Sequence, residues 1–195
     1  MKELIHIVAS RAKDYDDLVK SGQYWLNYFT KHGLIEMGDR ILDFGAGLGR
    51  ISIQFSKVAD VYAIDGNEKM VEFLLEKGIK AEVGSDCKKL VDNKEWFDFV
   101  ISPFVLQHIH FPEAQKLVGQ ISKITDRFFF TYPIMEDGIE NNYVHYTKSK
   151  KVLLLKSHDV SRTMKLEELP ELFKLSDFDT KTIKRHFVNL FEITK

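Results

Sequence analysis

What most constrains the fold of this chain is how short apolar runs alternate with stretches of helical period from residue 40 onward. Arg40-Ile41-Leu42-Asp43-Phe44 reads as a short buried strand that ends in glycines, and a helical stretch runs from Gly49 to about Lys57. Val61-Tyr62-Ala63-Ile64-Asp65 repeats the strand pattern. Asn67 then caps a helix carrying Met70, Val71, Phe73, Leu74 and Leu75, which stops at Gly78. Ile79 to Val83 and Phe97 to Ile101 are predicted as the third and fourth strands. Pro112 opens a helix through Leu117, Val118, Ile121 and Ile124, and Phe128 to Tyr132 is a fifth strand closed by Pro133. Periods that take turns at this spacing predict the α/β class: right-handed βαβ units, a mostly parallel sheet and helices on both faces.

The flanks obey other rules. Tyr15 to Phe29 carries apolar residues at helical spacing, begins with Asp14, Asp16 and Asp17 at the positive end of a helix dipole, and has Gly22 as a candidate break. In the tail, Leu166 to Leu175 reads as a helix in which Pro170 is tolerable only within the first turn. Phe178–Lys184 and Phe187–Ile193 alternate and predict an antiparallel pair. The whole chain, 1–195, reads as one domain.

Composition excludes several classes. Lys plus Arg is 28 against 29 Asp plus Glu, a net charge of −1, which argues against a surface built throughout for nucleic acid or acidic membranes. Cys87 is the single cysteine, so neither an intramolecular disulfide framework nor a multi-thiolate zinc site is available, and no metal is expected. Met1 to His6 lacks the pattern of a signal peptide, and no apolar run approaches the roughly 20 residues of a membrane helix. The expectation is a soluble, cytoplasmic protein with no membrane partner.

Chemistry concentrates in Asp43-Phe44-Gly45-Ala46-Gly47-Leu48-Gly49, between the first strand and a helix. Glycines there allow a tight turn and let a ligand approach the backbone. Asp65 ends the next strand, where a carboxylate can accept both hydroxyl protons of a ribose, so a nucleoside ligand is expected. A dinucleotide fingerprint, G-x-G-x-x-G, would place its third glycine one residue later, where Arg50 stands. Asp43 beside the loop would repel a pyrophosphate and attract an ammonium group. S-adenosylmethionine brings an ammonium, a sulfonium and no phosphate, and the electrostatics favour it over NAD and an oxidoreductase.

At these residues the chain resembles the class I S-adenosylmethionine-dependent methyltransferases, particularly their small-molecule branch, from about Asp39 through Tyr132. The family's acid and G-x-G-x-G motif is matched by Asp43, Gly45, Gly47 and Gly49, and its ribose acid by Asp65, with Gly66 beside it. The resemblance implies a Rossmann-like seven-stranded sheet whose last strand is antiparallel. It also implies Met70 against the adenine, Ser85-Asp86-Cys87 as the adenine segment with Asp86 toward the exocyclic amine, and Ser102 on the cofactor wall. Each has a plainer reading: Met70 as core, Asp86 as a turn cap, Cys87 as an inert thiol.

The acceptor is expected near Ser102-Pro103-Phe104-Val105-Leu106-Gln107-His108-Ile109-His110, where the family often shows a V-L-x-H-I run. His108 is the candidate base; its alternative is to fix the strand-to-helix connection. Ile101 stands where enzymes that methylate base or glutamine amines carry Asn or Asp, which argues against that chemistry. Tyr15, Tyr24, Phe104, His108 and Tyr143 are the expected substrate-facing residues. Residues 1–38 form a helical cap, 39–132 the cofactor core, 133–164 a lid or substrate region and 165–195 a C-terminal helix and strand pair. Between Tyr143 and Lys165 six basic residues face only Asp159, which keeps an RNA or protein acceptor open beside a small molecule. A non-catalytic S-adenosylmethionine-binding subunit is the other alternative.

Overall fold

The computed structural model describes residues 15–132, 134–135, 164–187 and 190–195. In chain order they form α1 (Tyr15–Lys31), β1 (Arg40–Phe44), α2 (Ser52–Phe55), β2 (Asp60–Asp65), α3 (Glu68–Glu76), β3 (Lys80–Val83), α4 (Lys88–Asp92), β4 (Phe99–Ser102), α5 (Phe111–Ile121) and β5 (Arg127–Thr131). Then come β6 (Ile134–Met135), β7 (Met164–Lys165), a 3-10 helix (Leu166–Phe173), β8 (Lys184–Phe187) and β9 (Leu190–Thr194).

Seven strands make one sheet in the order β3-β2-β1-β4-β5-β9-β8. All pairs are parallel except those of β9, which runs antiparallel to both β5 and β8. The predicted α/β architecture with an antiparallel C-terminal pair is therefore the observed one. β1 lies between β2 and β4, so successive crossovers leave it in opposite directions, and a crevice opens at the carboxyl ends of these strands.

Strand alternation divides the core into two faces. Ile41, Phe99, Ile101 and Phe129 point toward α1 and pack with Trp25, Leu26, Phe29 and Phe55. Leu42, Phe44, Val100, Phe128 and Phe130 point the other way, toward Leu117, Val118 and Ile121 of α5 and Leu169, Leu172 and Phe173 of the 3-10 helix. Phe29 is fully buried, with the rings of Phe55, Phe99 and Phe129 centred 5.1, 5.9 and 4.8 Å from its own. Burying such a ring contributes about 1.5–3 kcal/mol, which is how α1 is fastened to the sheet.

Three expectations change. Gly22 does not break α1; the helix is continuous, and the glycine is there because the carbonyl oxygen of Arg50 presses against it. Pro170 lies in the middle of its helix rather than in the first turn, and the segment is 3-10 instead of α. An α-helix would drive the proline ring into the carbonyl four residues back, and the tighter winding avoids that. The first strand of the C-terminal pair begins at Lys184, not Phe178: Asp179 accepts the Lys181 N–H and caps a 3-10 turn over Thr180–Thr182, and this stretch reaches β9 through the Asp179 N–H, which donates to the Thr194 carbonyl at 2.9 Å, rather than as a strand.

Asn67 caps α3 as expected, its side chain accepting the Lys69 N–H at 3.0 Å. The short helix α4 and a 3-10 turn at Leu106–His108 carry too few residues to show a period. Residues 1–14, Pro133, Tyr143 and nearly all of the basic stretch lie outside the described residues.

Candidate functional site

The glycine loop leaves β1 by a sharp turn in which the N–H groups of Gly45 and Ala46 both donate to the Ile64 carbonyl, at 2.7 and 3.1 Å. Gly45 and Gly49 both have φ of +75°, in the left-handed region that costs other residues energy. Gly45 has a second reason: a Cβ there would stand 2.3 Å from Cγ2 of Val105, on the loop after β4. The two loops that bound the crevice thus touch at a position with no room for a side chain.

Asp65, at the end of β2, braces this loop. Its Oδ2 accepts the Gly47 N–H at 2.7 Å and its Oδ1 accepts the Asn67 N–H at 2.9 Å. Each carboxylate oxygen keeps a second lone pair for a further donor. Ser102, fully buried, donates its hydroxyl to the Phe44 carbonyl at 3.0 Å and ties the ends of β4 and β1 together.

These strand ends enclose a cavity of about 660 Å³, within the roughly 300–1,000 Å³ of small-molecule sites. Of the residues expected from the sequence, Gly45, Asp65, Gly66, Ser85, Asp86, Phe104 and His108 line it. Asp43, Gly47, Gly49, Met70, Cys87, Ser102, Tyr15 and Tyr24 do not. Met70 is buried with Leu18, Leu48 and Phe73, in a cluster that Tyr15 packs against. Tyr15 meets Phe73 edge to face at 5.5 Å, and Tyr24 is exposed on α1. Cys87 is buried and reduced, with its thiol pKa pushed up by burial and by Asp86 and Glu82. Asp86 lines the cavity, and its Oδ1 also accepts the N–H of Lys88, the first residue of α4, at 3.0 Å.

The cavity also has a wall that sequence reasoning missed, in Glu113, Lys116, Leu117 and Gln120 of α5. Their spacing of three, four and seven puts them on one helix face, and that spacing was the available signal. His110, exposed just before α5, lines the cavity too.

Asp43 is the most unusual group nearby. It is 1% exposed; its Oδ2 accepts from the Ser52 N–H at 3.1 Å and hydroxyl at 2.5 Å, and its Oδ1 has no partner. Burial raises its pKa to about 7; the Ser52 hydrogen bonds and Arg50 oppose the rise and Asp65 adds to it. Phe104 is the second: φ is +64°, its N–H donates to the Thr131 hydroxyl at 2.6 Å, and its ring is half exposed. A bulky residue in that conformation is strained, and its ring lines the cavity. Trp25 meets this ring edge-on at 6.3 Å, and the Arg50 guanidinium lies over it at 5.5 Å.

Among the described residues no cluster suited to a metal ion is present, and no helix is long and apolar enough to cross a membrane.

Residues 41–127 match the family model described as a methyltransferase domain. A ubiquinone/menaquinone biosynthesis C-methyltransferase of Stutzerimonas stutzeri is 28% identical over 153 residues, 65% of this chain and 60% of that protein. Its counterpart in Pseudomonas aeruginosa is 28% identical over 135 residues, covering 62% of this chain and 53% of the relative. The chain thus spans little more than half the length of these curated relatives. Among solved structures, the magnesium protoporphyrin IX methyltransferase of Synechocystis with bound S-adenosylhomocysteine is similar, with a TM-score of 0.65 at 17% identity, over 91% of this chain and 83% of that one. The pyocyanin biosynthetic protein PhzM has a TM-score of 0.60 at 14% identity, over 86% of this chain and 53% of its own. At such identities these structures speak for the fold.

Proposed function

We propose that the chain is a class I S-adenosylmethionine-dependent methyltransferase that moves a methyl group from S-adenosylmethionine to an oxygen or nitrogen of a small or medium-sized acceptor, a reading that the methyltransferase-domain match over residues 41–127 supports. The observation that carries the proposal is Asp65, standing in the cavity wall while it braces a glycine loop that has no room for a Cβ. This fits an adenosine moiety: a carboxylate for the ribose hydroxyls and a close backbone approach. Asp43, buried behind the cavity wall with an unpartnered Oδ1, would draw an ammonium group through its charge.

S-adenosylmethionine, when bound, supplies an electrophilic methyl group on a sulfonium. The protein's share is to hold, orient and deprotonate. Asp65 accepts from the ribose; Gly66, Ser85 and Asp86 line the cavity toward the adenine; Asp43 orients the ammonium end, partly through water. Met70, Cys87 and Ser102 support these walls from behind. His108, in the turn after β4, takes the proton that the acceptor loses. Phe104 offers the acceptor an apolar face. Residues 133–164 with Tyr143, nearly all outside the described residues, are proposed as the substrate region.

The curated relatives are named as C-methyltransferases, which makes a carbon acceptor the second reading. An RNA or protein acceptor would use the basic stretch between Tyr143 and Lys165. A screen with methyl-labelled S-adenosylmethionine against extracts split into metabolites, RNA and protein is the test. Label in a metabolite bound through oxygen or nitrogen is expected. Label on carbon favours the second reading, and no transfer to any fraction favours a subunit that binds without catalysing.

A further inference from the structure

Phe104 occupies a place in its turn that glycine ordinarily takes. Ser102 is tied to β1 through the Phe44 carbonyl, and Val105 stands against Gly45, so Pro103 and Phe104 turn the chain between two fixed points. The proline ring fixes φ at Pro103, which leaves the change of direction to the next residue. Turns with proline second and a positive φ third favour glycine or asparagine at that third place. Here a phenylalanine holds it, at φ +64°. Lys94 is the other described residue besides glycine with a positive φ, and it follows the C-cap of α4, where that conformation is common. Phe104 ends no helix.

The strained backbone is held from the sheet. The Phe104 N–H donates to the Thr131 hydroxyl at 2.6 Å, and Thr131 is the buried last residue of β5, in register with Leu190 of β9. The acceptor of this hydrogen bond therefore sits on a rigid strand end. The ring it fixes has Trp25 edge-on at 6.3 Å and remains 47% exposed at the cavity, four residues before His108 in the same wall. A residue kept at an energetic cost where glycine sits freely is kept for its side chain.

We propose that Thr131 is a positioning residue for methyl transfer: by accepting the Phe104 N–H it holds Phe104 left-handed, and the ring so placed sets an apolar part of the acceptor against the transferable methyl. This rests on the function read above. Thr131 does not line the cavity, so it acts through Phe104, and its loss slows transfer without loosening the cofactor.

The test compares the wild type, Thr131→Val, Thr131→Ser, Phe104→Gly and the Thr131→Val, Phe104→Gly double variant. Three quantities are read: labelled methyl transfer from S-adenosylmethionine into the metabolite fraction, S-adenosylhomocysteine affinity by calorimetry, and the urea midpoint. Thr131→Val should slow transfer by about 10- to 100-fold, the cost of a misplaced reactant, with S-adenosylhomocysteine affinity within about 2-fold of the wild type. Thr131→Ser, which keeps the hydroxyl, should restore the rate. Phe104→Gly should slow transfer as much at a urea midpoint near that of the wild type, because glycine adopts this φ freely. Adding Thr131→Val to Phe104→Gly should change the rate by less than about 2-fold, since the two act as one unit. An unchanged rate in Thr131→Val or in Phe104→Gly overturns the proposal, and so does an equal loss from Thr131→Val in both backgrounds. A wild type that transfers methyl to no fraction overturns the function reading, and the role of Thr131 with it.

Discussion

Gly22 of α1 and Arg50 at the end of the glycine loop are in backbone contact: a Cβ on Gly22 would lie 1.9 Å from the Arg50 carbonyl oxygen and 2.9 Å from Cγ of Gln54. The helix that covers the α1 face of the sheet is thus fitted directly to the loop that borders the site. Gly22→Ala gains about 1 kcal/mol of helix propensity but forces backbone apart, and overpacking costs about 1–3 kcal/mol or more. A net loss of stability is expected, read as a lower urea midpoint with an unchanged slope. A stabilised variant would show that α1 yields freely at this contact.

Asp43 predicts a pH dependence. Its pKa rises from an ordinary 3.8 to about 7, chiefly through burial. A carboxyl that binds its proton more tightly when folded loses stability on ionising, so stability falls as pH rises from 3.8 toward about 7. The slope is at most about 1.4 kcal/mol per pH unit. Urea midpoints across that window should decline in the wild type and flatten in Asp43→Asn. Affinity for S-adenosylhomocysteine should rise across the same window, because the ionised carboxylate attracts the ligand's ammonium.

Asp65 has both a bracing and a binding role. Asp65→Ala removes the acceptor for Gly47 and Asn67 together with the ribose contacts. Cofactor affinity is expected to fall by about 1–3 kcal/mol, the range for hydrogen bonds to a charged group. Calorimetry showing the wild-type affinity would remove Asp65 from the site.

For His108, loss of a general base should lower turnover by about 10²- to 10⁴-fold while cofactor binding stays intact. Single-turnover rates of His108→Ala and His108→Gln, once an acceptor is known, give the answer. A rate near wild type would leave His108 holding the β4–α5 connection.

Much of the fold was legible because its signals are local. Strand runs such as Val61–Asp65 and the cap at Asn67 depend on neighbouring residues alone, and the glycine loop announces itself by spacing. The site was legible where motif and strand end coincide, as at Gly45 and Asp65. It was less so on α5, where Glu113, Lys116 and Gln120 look like any solvated helix face until the β4 loop brings them to the cavity. Pro170 and Phe178 misled because the cost of a backbone conformation there is set by what the segment packs against.

The sequence by itself determined the order of elements, the parallel sheet with its antiparallel end, and a loop built to admit a nucleoside beside an acid. Only the tertiary structure decided that Gly22 is a contact rather than a break, that Asp43 is sealed away with one oxygen unanswered, and that the Arg50 guanidinium lies over the ring of Phe104. The physical reason is range. Propensity and periodicity act between neighbours, whereas the cost of burying a charge depends on which distant residues the fold brings around it.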